Sequence, residues 1–256
     1  MPATMPTTMP TTRPTTRPTR TTGTVLALGG GGFSMSDDGS SAIDDHLLDL
    51  TGKDTPKVCF VPTASGDDNG YAHRFEEAFA GRARTSVLSL FCHEPWGYAD
   101  PELLLEQDVV YVGGGSTANL LVVWRRHGLP DLLARAAAQG TVLAGISAGM
   151  NCWFESSSTD SFGPLAPLDD GLGFVPGSAC PHYLGEEDRR DAYLGWVASG
   201  ALPGGYAVDE YAALRFVDGV PVDAVSERPD RPVLRVERDG DGVREVPLDV
   251  RRLPGT

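Results

Sequence analysis

Positive charge is scarce in this chain: 21 Lys and Arg stand against 35 Asp and Glu, a formal net charge of −14 over 256 residues. Three of the arginines (Arg13, Arg17 and Arg20) lie in the N-terminal tail, so the remainder is more acidic still. Such a body repels polyanions, which argues against nucleic acid and anionic membrane as partners. Long apolar runs are missing too. None approaches the roughly 20 residues of a membrane span, and the N-terminus lacks the apolar core of a secretory signal, so a cytoplasmic protein is expected. The four cysteines (Cys59, Cys92, Cys152 and Cys180) are scattered, with no C-x-x-C pair. They read as isolated buried thiols of a reducing compartment, not as a disulfide framework. No H-E-x-x-H or comparable spacing is present, so neither a metal nor a cofactor is expected.

What is present is alternation. Residues 1 to 22 repeat a Met/Arg-Pro-Thr-Thr unit with almost nothing to bury and read as a disordered tail. Residues 23 to 256 read as a single α/β domain. Short apolar runs at Thr24–Leu28, Lys57–Val61, Thr85–Leu90, Asp108–Val112 and Thr141–Ala144 have the character of strands buried on both faces of a parallel sheet. Helical stretches lie between them, at Ser41–Leu50, Tyr71–Ala80 and Asn119–His127. In the last of these Leu120, Val123, Trp124 and His127 share a face. This pattern predicts a doubly wound, mostly parallel sheet. After Gly200 the texture shifts to hairpins at Tyr206–Asp209, Ala213–Val217, Val233–Glu237 and Val243–Pro247. They are expected to form a C-terminal antiparallel extension.

The most informative stretch is Thr141 to Glu155, TVLAGISAGMNCWFE. An apolar strand runs into Gly145-Ile146-Ser147-Ala148-Gly149, and a helix-compatible segment follows. A serine on so tight a strand–turn–helix bend leaves no room for side chains two positions away on either side, which the glycines satisfy. The bend holds Ser147 Oγ clear of the backbone and aims the Ala148 amide at whatever Ser147 attacks. A nucleophilic serine needs a base, and the base an acid. His182 is the one histidine downstream of Ser147, and it leaves too little intervening chain for the order Ser, acid, His. The order is therefore Ser147, His182 and a later acid, with Glu210 first and Asp209 second. The turn Val112-Gly113-Gly114-Gly115-Ser116-Thr117 ends a strand and opens a helix, so it can bring a backbone amide toward Ser147. Gly29-Gly30-Gly31-Gly32 follows the first strand and reads as a tight turn lining the site. Two polar segments, Asp67 to Tyr71 and Ser156 to Asp170, are long enough to cover a site.

Four blocks in this order, FVPTASGD (60–67), YVGGGSTANLL (111–121), GISAGMNCWFE (145–155) and PGSACPHY (176–183), resemble peptidase family S51, which includes peptidase E and cyanophycinase. The resemblance implies a class I glutamine-amidotransferase-like, flavodoxin-like sheet. It also implies Ser147 as nucleophile, His182 as base, Glu210 as the best-matching acid, and the amides of Gly114 and Ala148 as the oxyanion hole. Ser116 and Tyr211 depart from the family pattern, standing where asparagine and glycine are more usual. Peptidase E removes amino-terminal aspartate from dipeptides, which implies a small peptide substrate and a cation for its carboxylate; Arg189 and Arg190 are the nearest candidates. Two other activities fit the same residues: hydrolysis of another acyl substrate, such as an ester or a cyanophycin-like β-aspartyl polymer, and non-catalytic binding of a small ligand. Oligomeric state is left open between monomer and dimer.

Overall fold

A computed structural model describes residues 22–240 and 242–254, so nearly all of the expected tail lies outside the described residues. Five parallel strands form its centre: β1 (Thr24–Gly30), β2 (Lys57–Val61), β3 (Arg84–Val87), β4 (Val109–Val112) and β5 (Val142–Ile146), in the spatial order β1-β5-β4-β2-β3. Because successive side chains alternate between faces, each strand supplies two cores. Leu26, Leu28, Phe60 and Tyr111 pack with Ile43 and Leu47 of α1 (Ala42–Asp49) and with Phe75 and Phe79 of α2 (Asn69–Phe79). Val25, Ala27, Cys59, Val61, Val110 and Val112 face Leu120 and Trp124 of α3 (Thr117–His127) and Leu133 of α4 (Leu129–Ala138). Helices on both faces of a parallel sheet make the doubly wound architecture that the alternation predicts.

Local chemistry starts these helices where the sequence places them. Ser41, Asp68 and Ser116 each accept a hydrogen bond from the amide three residues on and so cap α1, α2 and α3. Ser116 thus takes over a capping function that asparagine performs equally well. Asp67 is buried and binds Ser89 Oγ at 2.9 Å and the Phe91 amide at 2.8 Å. The segment Asp67–Tyr71 is therefore a fixed entry to α2, not a free cover.

The second half of the chain departs from expectation. After α5 (Ala148–Asn151), only four residues long, the chain leaves the first sheet and starts another. Its strands are β6 (Phe154–Thr159), β7 (Ala166–Leu168), β8 (Val175–Cys180) and β9 (Gly205–Val208). With α6 (Arg189–Ser199) between β8 and β9, β6, β8 and β9 pair in parallel. Strand β8 begins at Val175, and the polar segment Ser156–Asp170 contains most of β6 and all of β7. Ser156, Ser157 and Ser158 are buried despite their polarity, which is why hydrophobicity alone reads the segment as loop.

The C-terminal strands divide between the two sheets. Strand β10 (Ala212–Val217) pairs antiparallel with β1, and β11 (Val220–Ser226) extends that edge. Strands β12 (Val233–Asp239) and β13 (Gly242–Pro247) form a hairpin on β9, and β14 (Val250–Arg252) returns to β11. The result is an eight-stranded sheet, β14-β11-β10-β1-β5-β4-β2-β3, beside a six-stranded one, β13-β12-β9-β8-β6-β7. The passage from β9 to β10 crosses between them, and it carries Asp209, Glu210 and Tyr211.

Candidate active site

Ser147 stands between β5 and α5 with φ 56° and ψ −112°, a backbone conformation that costs a non-glycine residue about 1–3 kcal/mol. The surroundings enforce it. The Ser147 amide donates to the Leu28 carbonyl at 3.1 Å, and its own carbonyl accepts from the Asn151 amide at 2.9 Å. A Cβ on Gly145 would lie 2.2 Å from the Gly149 carbonyl oxygen, and one on Gly149 would lie 2.3 Å from that of Val112. Both distances are well inside van der Waals contact, so the two flanking glycines are required by close packing of the turn on its own strand and on β4.

His182 follows β8, and its amide donates to the Gly29 carbonyl at 3.1 Å. Consecutive carbonyls of a strand point to opposite edges. Ser147 and His182 therefore flank the end of β1 on its two sides, separated by roughly two strand spacings of about 4.8 Å each. The imidazole lies against the end of β1: a Cβ on Gly30 would come 3.0 Å from both Nδ1 and Cε1 of the ring. Two of the four glycines thus belong to β1 itself, and the place a side chain on Gly30 would take is filled by the His182 ring.

Of the two candidate acids, Glu210 reaches the histidine. Its Oε1 lies 3.3 Å from His182 Nδ1, and both side chains are mostly buried. A proton on Nδ1 shared with Glu210 leaves Nε2 as the basic edge. Asp209 is wholly buried and turned the other way. Its Oδ1 accepts from the amides of Leu184 and Gly185, at 2.9 and 3.0 Å, and its Oδ2 pairs with Arg231 at 3.1 Å. The carboxylates differ because they are adjacent in an extended segment and point to opposite sides. Glu210 also bridges to Gly30, and the Tyr211 amide donates to the Gly30 carbonyl at 2.9 Å, which fixes the acid against β1. Tyr211 itself has φ 59°, the left-handed region that glycine favours. Its ring is covered by Arg228, whose guanidinium carbon is 3.4 Å from the ring centroid. The departure from glycine is thereby accommodated without displacing Glu210.

The glycine turn after β4 abuts Ser147: a Cβ on Gly114 would lie 3.5 Å from that of Ser147. Its amides are not equivalent. Gly113 donates to Val61, Ser116 donates to Ala64, and Gly114 donates to the Tyr71 hydroxyl at 3.3 Å. Among the described residues the Gly115 and Ala148 amides have no acceptor. The expected donor Gly114 is therefore occupied, and the free amide of the turn belongs to Gly115. Neither Gly115 nor Tyr71 was singled out from sequence. The three glycines are indistinguishable by residue type, and Tyr71 lies more than 40 positions upstream.

Arg189 and Arg190 open α6 but face different ways. The Arg189 side chain is 3% exposed, bonded to Glu186 with Asp160 at 4.0 Å, and the Glu186 amide donates to the His182 carbonyl at 3.2 Å. Arg190 is tied to Glu245 of β13, which also accepts from the Tyr183 hydroxyl at 2.6 Å. The Arg190 guanidinium is thus paired with the β12–β13 hairpin, and that of Arg189 with the segment following His182. The thiols of Cys152 and Cys180 are buried, and burial pushes Cys180 up to about 12 and Cys152 well above its usual range, so neither is a thiolate nucleophile. Cys92, expected to be buried, is exposed.

Comparison with known proteins identifies the family and the fold. Residues 25–221 match the family described as Peptidase family S51. The chain is 45% identical over 230 residues to "Uncharacterized peptidase YgaJ" of Bacillus subtilis (strain 168), covering 90% of this chain and 98% of that protein. It is 35% identical over 146 residues to peptidase E of Streptomyces coelicolor, covering 55% of this chain and 58% of that protein. Among solved structures, a peptidase from an acI-B1 Actinobacterium superposes with a TM-score of 0.66 at 15% identity, over 90% of this chain and 96% of that one. A putative peptidase E protein from Listeria monocytogenes EGD-e gives 0.54 at 18% identity, over 89% of this chain and all of that one. At such identities these two similarities speak to the fold.

Proposed function

The chain belongs to peptidase family S51 and is a peptidase; from that premise we propose that it is a serine-type dipeptidase that cleaves after an amino-terminal aspartate through an acyl-enzyme. The observation that carries the proposal is Ser147 held at a strained strand–helix turn, with the His182–Glu210 pair anchored to the opposite edge of the same strand end.

In this mechanism His182 Nε2 takes the Ser147 proton as Oγ attacks the peptide carbonyl. Glu210 stabilises the imidazolium that results. The Ala148 amide and an amide of the glycine turn after β4, which abuts Ser147 at Gly114, receive the oxyanion. His182 then protonates the leaving amine, and water resolves the acyl-enzyme by the same route. Arg189, which opens α6 and is paired with Glu186 with Asp160 4.0 Å away, is the cation proposed for the substrate's side-chain carboxylate. Residues 23–256 would act as one domain. The acidic surface, and the absence among the described residues of a helix long and apolar enough to cross a membrane, support a cytoplasmic enzyme working on small peptides without nucleic-acid or membrane partners.

Hydrolysis of Asp-X, Glu-X, Asn-X and Ala-X dipeptides by wild type and Ser147→Ala tests this. Cleavage confined to Asp-X and reduced at least a thousandfold in the variant is expected. No cleavage of any dipeptide by the wild type would refute the dipeptidase assignment, and near-wild-type turnover by Ser147→Ala would refute the serine mechanism.

A further inference from the structure

A cavity lies beside the segment that carries Glu210, linked to it through Arg228 on Tyr211 and Arg231 on Asp209. It has a volume of about 380 Å³ and is lined by Leu184, Ser226, Arg228, Pro229, Asp230, Arg231, Pro232, Val250 and Arg252. None of its walls is Ser147, His182 or the glycine turn. Three features set it apart from the rest of an acidic surface. It gathers three arginines against the single carboxylate of Asp230, in a chain whose formal charge is −14. Arg228 makes no ion pair among the described residues, and neither does Arg252; Arg228 lies over the Tyr211 ring, and Arg231 spends one nitrogen on Asp209. Apart from Ser226, whose hydroxyl is bonded to the Tyr211 and Arg228 carbonyls, the remaining walls are apolar, from Leu184, Pro229, Pro232 and Val250, and Leu184 is 53% exposed.

We propose that this cavity is a binding site for a small organic carboxylate with an apolar body, its carboxylate held by Arg228 and Arg252 and its hydrocarbon part by Leu184, Val250 and the two prolines. Guanidinium groups pair with carboxylates through two parallel hydrogen bonds, which gives such a site orientation as well as affinity. The apolar walls select against a bare, strongly hydrated anion, which has nothing to offer them. The cavity is also placed to sense or influence catalysis. Arg228 covers Tyr211 and Arg231 pairs with Asp209, so its arginines grip the residues on both sides of Glu210. The assignment does not depend on Ser147 being a nucleophile.

The test is calorimetric titration of the full chain with N-acetyl-leucine, N-acetyl-leucinamide and inorganic phosphate, repeated on Arg228→Gln/Arg252→Gln and on Val250→Phe. The double variant removes the unpaired charges, and the phenylalanine fills the cavity from the opposite wall with no change of charge. Saturable binding of N-acetyl-leucine at one site, at least tenfold weaker in both variants and absent for the amide, is the expected result. Equal affinity in either variant, or no saturable binding in the wild type, would overturn the proposal. Phosphate binding as tightly as N-acetyl-leucine would overturn the assignment to an apolar carboxylate. Because the readout is heat and not turnover, failure here is distinguishable from failure of the dipeptidase proposal.

Discussion

Neutralising the two adjacent carboxylates one at a time should separate catalysis from stability. In Glu210→Gln the amide oxygen can still meet His182 Nδ1 across the 3.3 Å gap, and the side-chain volume is kept, so the fold should lose no more than about 0.5 kcal/mol. What disappears is the charge facing the imidazolium. Removing the equivalent charge from a serine triad lowers turnover by up to about 10⁴-fold, and a fall of 10²- to 10⁴-fold in kcat is expected here. Asp209→Asn should do the reverse. Its Oδ1 must remain an acceptor for the Leu184 and Gly185 amides, so the new NH₂ group is forced toward Arg231. A wholly buried carboxylate is thereby replaced by a donor facing a guanidinium. With charge-assisted hydrogen bonds contributing about 1.5–3 kcal/mol each, the loss is about 3 kcal/mol. For a chain of this size 1 kcal/mol corresponds to about 2–4 °C, so Tm should fall by roughly 6–12 °C while kcat falls far less. Thermal unfolding followed by circular dichroism and turnover of an Asp-X dipeptide report the two effects separately. Loss of turnover in Asp209→Asn at unchanged Tm, with Glu210→Gln still active, would refute the assignment of roles.

Substitutions at three further positions follow from the geometry. Asp44 is wholly buried, and desolvation raises its carboxyl to about 7 from an ordinary value of 3.8. The folded protein therefore holds a proton that the unfolded chain releases between those values, and stability from this group is present at low pH and lost as pH rises toward 7. Asp44→Asn should flatten that part of the Tm-against-pH curve, and an unchanged slope between about pH 4 and 7 would contradict it. Gly145→Ala drives a methyl 2.2 Å from the Gly149 carbonyl oxygen. It should destabilise by about 1–3 kcal/mol, and a displacement of Ser147 by about 1 Å should lower kcat on the order of a hundredfold; wild-type kinetics would show that the turn is not rigid. Tyr211→Ala and Tyr211→Gly both lose the stack on Arg228, but only glycine relieves the left-handed backbone, so the glycine variant should be the more stable by about 1 kcal/mol in urea unfolding.

Several elements could be read from local sequence because local physics determines them. The apolar runs that became β1, β2, β4 and β5 are buried on both faces, and continuous hydrophobicity is the mark of that situation. The turn around Ser147 was legible because a bend so tight excludes side chains at positions 145 and 149. By contrast β6 was missed, since its buried serines carry no apolar signature. The expected antiparallel extension was half right. The hairpins exist, but β10 joins the first sheet and the β12–β13 hairpin the second, a partition set by pairing partners far away in sequence.

The sequence by itself determined the alternation of strands and helices in the first half of the chain and the bend at Ser147. Both rest on patterns a few residues long. Only the tertiary structure decided which carboxylate faces His182, which glycine amide of the turn after β4 meets the Tyr71 hydroxyl, and which carboxylates Arg189 and Arg190 pair with. Each of those choices is between adjacent residues of like chemistry. Neighbours in an extended segment or a helix point in different directions, and which direction is useful depends on contacts such as Gly30 with Glu210, 180 positions apart in the chain.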